Sequence, residues 1–167
     1  MARTPDPSEA EFVRRVREPR APSAEPGRHL ARRSAMMLLY RTDLISLDSE
    51  EAIAGYATDY GLEMPKYGVE LVRGVVANQA AVDAEITERL DGWTLDRLGT
   101  VERAVMRIGM YELQHGEVPG PVVIDEAVEL AKRYASPDAA KLVNGVLAAR
   151  LRAVPDVEPD ATEEARE

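Results

Sequence analysis

The chain has 167 residues and a mass of 18.4 kDa, the length of one domain at roughly 100–200 residues each. Hydrophobic residues make up 45% and aromatics only 5%, so any core must be aliphatic. The absence of Cys excludes a disulfide scaffold, a thiolate metal site and a Cys nucleophile. No apolar run reaches the ~18 residues of a membrane span, and the start Met1-Ala2-Arg3-Thr4-Pro5-Asp6-Pro7 lacks the apolar stretch of a secretory signal. A soluble, cytoplasmic protein is expected. The net charge of −9 is unevenly distributed: +4 over residues 1–41, −8 over 42–153 and −5 over 154–167. Such a balance opposes indiscriminate nucleic-acid binding but permits local phosphate binding at a basic patch.

Residues 1–27 hold five prolines and few large apolar groups, the composition of a disordered extension. From Arg28 to Ile45, Leu30, Met37 and Leu44 fall on one stripe, with Ala31, Ala35 and Leu38 beside it. That spacing predicts an amphipathic helix. Asp48 and Glu51 stand as a capping box before a short helix to Tyr60, which Gly61 ends. Pro65 suits the first turn of a long helix carrying Tyr67, Leu71, Val75, Val82, Ile86 and Leu90 on one face, as far as Gly92. Thr94 is expected to cap one turn around Leu95 and Leu98, and Thr100 a helix with Val101, Ala104, Val105, Ile108 and Tyr111 in the core. After Pro119-Gly120-Pro121, Ile124 to Tyr134 forms a helix. Ser136-Pro137-Asp138 then opens a last helix through Leu142, Val146 and Leu151. Within it, Asn144-Gly145 implies close helix–helix approach, because Gly in a helix interior costs about 1 kcal/mol against Ala. The acidic residues 154–167 carry too little apolar surface to fold. The expected architecture is all-α, with about seven helices over residues 28–153.

Chemistry is sparse. The two histidines, His29 and His115, do not make a metal site, and no phosphate loop, dinucleotide fingerprint or nucleophile elbow is present. An enzyme is not expected. The start of the first helix says more. Arg28 and Arg32 share one helical row and His29 and Arg33 the adjacent one, near a helix N-terminus that favours anions. Guanidinium groups grip phosphates with paired hydrogen bonds, and Tyr40, two turns beyond Arg33, offers a ring for base stacking. The alternative is a solvated basic face with Tyr40 in the core.

Three segments resemble the bacterial transcription antitermination factor family NusB. They are Ala31–Tyr40 (ARRSAMMLLY), Val101–Leu113 (VERAVMRIGMYEL) followed by Val118-Pro119, and Ile124–Lys132 (IDEAVELAK) with Lys141–Leu147 (KLVNGVL). Together they span about residues 28–153. The resemblance implies two packed three-helix subbundles. It implies binding of boxA leader RNA jointly with NusE, a small-subunit ribosomal protein, and entry into an RNA polymerase complex with other Nus factors that suppresses termination on rRNA operons. It implies no cofactor and no catalysis. By position it assigns RNA contact to Arg28, His29, Arg32, Arg33 and Tyr40, to Glu102 and Asp138, and to Lys141 and Leu142. Glu102 and Asp138 act there either as helix caps or as selectivity elements, capping being the simpler account for Asp138. Leu142 stands where the family often has Phe and lacks a π-face; Met37 stands where it often has Gln. Two other readings remain: the RNA-binding module of an rRNA methyltransferase, for which no methyl-donor domain is expected in this length, and a protein-interaction module or homodimer, which an exposed Met37 would support.

Overall fold

The computed structural model describes residues 26–154, and the disordered segments expected over residues 1–27 and 154–167 lie almost wholly outside them. The helices are α1 (Pro26–Ile45), α2 (Ser49–Tyr60), α3 (Lys66–Ala77), α4 (Gln79–Arg89), α5 (Thr100–His115), α6 (Gly120–Tyr134) and α7 (Pro137–Ala153), with a 3₁₀ turn at Leu95–Arg97. No strand occurs among the described residues, and none of their helices is long and apolar enough to cross a membrane.

The helix ends follow local chemistry. The Asp48 side chain accepts hydrogen bonds from the Glu50 and Glu51 backbone N–H groups at 2.9 and 3.1 Å, and Gly61 closes α2 with φ 72°, a left-handed conformation that Gly adopts without penalty. The Ser136 hydroxyl accepts from Ala139 N–H at 3.0 Å. Ser136 therefore caps α7, and Asp138 sits in its first turn with its side chain exposed, which corrects the capping role expected of Asp138. Thr100 is likewise the first residue of α5; Gly99 precedes it and supplies no side-chain cap.

The long helix expected from Pro65 to Asp91 is broken at Asn78. Its N–H and its side-chain amide both donate to Gly74 O, the latter at 2.8 Å, and close α3. Val75, Val82 and Ile86 are fully buried on both sides of the break. The apolar stripe runs across the interruption, so periodicity cannot reveal it. On α1 the expected stripe is also corrected. Leu44 is 50% exposed, whereas Ala31, Ala35, Met36, Met37, Leu38 and Leu39 are buried.

Helices α1, α2 and α3 touch one another, as do α5, α6 and α7, giving the two expected subbundles. The central helix α5 joins them. It packs against α1, α3, α4, α6 and α7, and buries Ala104, Val105, Met106, Ile108, Gly109 and Met110. Gly109 is required there: a Cβ would lie 2.6 Å from Leu147 Cδ1 on α7. Gly145 differs from expectation. It is exposed, a Cβ on it would meet nothing within 4 Å, and Asn144 beside it is exposed too. This pair faces outward and makes no helix–helix contact.

Candidate nucleic-acid interface

The basic residues that open α1 divide between interior and surface. Arg32 is 2% exposed and Glu112, on α5, is 1% exposed. Arg32 Nε and Nη2 donate to the Glu112 carboxylate at 2.8–3.1 Å, in the paired geometry that suits a guanidinium and a carboxylate. The Tyr67 hydroxyl, from α3, donates to the same carboxylate. Burial alone disfavours the Arg32 cation, but the hydrogen bonds and charge of Glu112, with Tyr67 and Glu126, hold its pKa above the ordinary arginine value. Burial, then the hydrogen bond and charge of Glu112, push the Tyr67 phenol well above its usual range. His29 is buried as well, and its Nδ1 lies 2.6 Å from Glu126 Oε2 on α6.

Arg32 and His29 thus lose the phosphate-gripping role expected of them. The Arg32 guanidinium and the His29 ring both face carboxylates under packed neighbours. Sequence spacing put Arg28 and Arg32 on one helical face, and it did so correctly: both guanidinium groups lie over the Tyr67 ring, at 5.0 and 5.8 Å from its centroid. What spacing could not show is that α3 and α5 cover this face. Arg28 remains partly exposed at the edge of a cleft of about 300 Å³, with Tyr67, Glu70, Tyr111 and His115. Arg33 points elsewhere. It is partly exposed and has no carboxylate partner among the described residues, and its Nε is buried without a hydrogen-bond partner. Tyr40, seven residues on, is half-buried on the same side of α1.

A second group forms where the first turns of α5 and α7 converge. Glu102, Asp138 and Leu142 line one open groove of about 460 Å³, with Trp93, Arg97, Leu98, Gly99, Ser136 and Ala139. Glu102 is in the first turn of α5, and its Oε1 folds back over Gly99. Lys141 is exposed one turn along α7 from Asp138, but does not line the groove. Residues 36 positions apart in sequence are brought together here. Trp93 and Arg97 were missed by motif reading. The available signal was composition: Trp93 is the single Trp of the chain, in a short segment between Gly92 and Thr94 that no apolar periodicity claims. Met37 is 2% exposed, which removes the observation that would have favoured a homodimer. No group of three or more metal-ligating side chains occurs among the described residues.

Comparison with known proteins agrees with this architecture. The NusB family model matches residues 29–152. The transcription antitermination protein NusB of Halalkalibacterium halodurans is 39% identical over 127 residues, covering 75% of this chain and 94% of that protein. Its counterpart in Acidothermus cellulolyticus is 42% identical over 125 residues, covering 74% and 86%. A chain in the crystal structure of antitermination factors NusB and NusE in complex with dsRNA superposes with a TM-score of 0.68 at 34% identity, over 77% of this chain and 98% of that one. With nearly the whole described fold matched, the chain belongs to the NusB family.

Proposed function

We propose that this protein is a cytoplasmic transcription antitermination factor that binds boxA-type leader RNA jointly with NusE. In this reading it enters the RNA polymerase complex with other Nus factors on rRNA operons, without catalysis or cofactor. The observation that carries the reading is the groove in which Glu102, Asp138 and Leu142 meet, three residues that the family resemblance assigned to RNA separately. The likeness to a NusB chain in a complex with NusE and RNA supports it.

The geometry redistributes the roles. Arg33 is the α1 cation proposed to meet phosphate, with Tyr40 on the same side of the helix; Arg28 stands at the cleft edge. Lys141 adds a cation near the groove. Arg32 and His29 hold α1 in place from beneath. The test is a titration of the purified chain with boxA RNA, with and without NusE, at several salt concentrations. R33A is expected to weaken binding and to reduce the salt slope by roughly one unit while leaving the melting temperature unchanged. Absence of RNA binding in both arms overturns the reading.

A further inference from the structure

We propose that Trp93 is a base-stacking platform of the RNA site, seating one unpaired nucleobase in the groove between the first turns of α5 and α7. The proposal rests on the RNA-binding reading above and adds a contact residue to it. Trp93 is 54% exposed, although an indole normally hides most of its area in a core or an interface. It stands over a groove whose floor is apolar: Leu98 and Ala139 are buried and Leu142 is half-buried. The groove's volume of about 460 Å³ falls in the usual range for small-molecule clefts, about 300–1,000 Å³, so it has room for a nucleobase.

Charge selects the guest. Glu102 and Asp138 line the groove and would repel a phosphate placed within it, while their carboxylates accept hydrogen bonds from the N–H edge of a base. Arg97 lines the same groove and is exposed, so a strand can lay its phosphate toward Arg97 and turn its base inward. An indole face beside an apolar floor, with acceptors within and a cation alongside, fits an unstacked base better than it fits a phosphate or an acidic peptide. Single-stranded RNA is recognised in this manner, by splayed bases on aromatic rings.

The chain's single Trp makes the test direct, because all indole emission reports Trp93. The full chain is titrated with single-stranded boxA RNA and, separately, with inorganic polyphosphate, while anisotropy of labelled RNA measures affinity with and without NusE. Expected results are quenching of Trp emission by RNA but not by polyphosphate, and a loss of RNA affinity of roughly 5- to 100-fold in W93A, the range of one base–aromatic stack. W93F should stay within about threefold of the parent, whereas W93L, which keeps bulk but has no π-face, should fall with W93A. Circular dichroism confirms that each variant is folded. If the parent binds RNA with unquenched emission and W93A and W93L bind as tightly, the stacking role is overturned and the RNA-binding reading stands. If the parent binds no RNA in either arm, both fall together.

Discussion

Glu112, itself almost fully buried, accepts from a guanidinium and a phenol. Removing one partner of such a pair leaves the other charge buried, which typically costs about 3–5 kcal/mol. E112A should therefore destabilise the fold by an amount of that order, read as a lowered urea midpoint. R32A should also act chiefly on stability, in contrast to R33A, whose effect should fall on RNA affinity. A variant pair that reversed this pattern would show that Arg32 reaches the nucleic acid after all. The Tyr67 phenol adds a pH dependence. Its pKa in the folded chain lies above the ordinary 10.0, so the folded state holds the proton more tightly than the unfolded state does. The associated stabilisation is complete below pH 10 and is lost as the pH climbs through the folded value. Urea midpoints measured between pH 9 and 11.5 should fall less steeply in Y67F than in the parent.

At the scale of elements, two helical glycines make opposite predictions. In G109A, helix propensity returns about 1 kcal/mol, but the new methyl meets Leu147 in a packed core, and overpacking costs about 1–3 kcal/mol; net destabilisation is expected. G145A adds a methyl in open space and should raise stability by about 0.5–1 kcal/mol. S136A removes the one side-chain bond that caps α7 and should cost about 1 kcal/mol; thermal melts distinguish all three. Most elements were legible in the sequence because caps and stops are local chemistry: Asp48, Gly61 and Ser136 each act where their side chain, or lack of one, predicts. Asn78 was not, because it ends a helix without interrupting the buried row on either side. Gly145 was misread for a related reason. A helix-interior glycine signals that something needs a bare backbone, without saying whether that something belongs to the same molecule.

Over the whole molecule, the legibility of the site divides along tertiary contact. That α1 opens with four basic side chains is plain from residues 28–33, but which of them face carboxylates depends on Glu112 and Glu126, 80 and 97 positions away from their partners. Likewise Glu102 and Asp138 are ordinary acids in the sequence, and only the packing of α5 against α7 sets them in one groove with Trp93. Among the described residues that open α1, fewer cations face outward than composition suggests. For the chain alone, the salt slope of RNA binding should be shallow, roughly two units, since each neutralised phosphate of a single strand contributes about 0.7. It should steepen when NusE is added, as measured by anisotropy across a salt series. The internal pairing of Arg32 with Glu112 has a regulatory corollary. With Arg32 turned inward to Glu112, the start of α1 offers a transcript fewer outward cations on an anionic body, and in the joint-binding reading a second protein supplies the missing grip. Occupancy then scales with the product of two concentrations, so the assembly works as a coincidence detector, engaged only where transcript and companion arrive together.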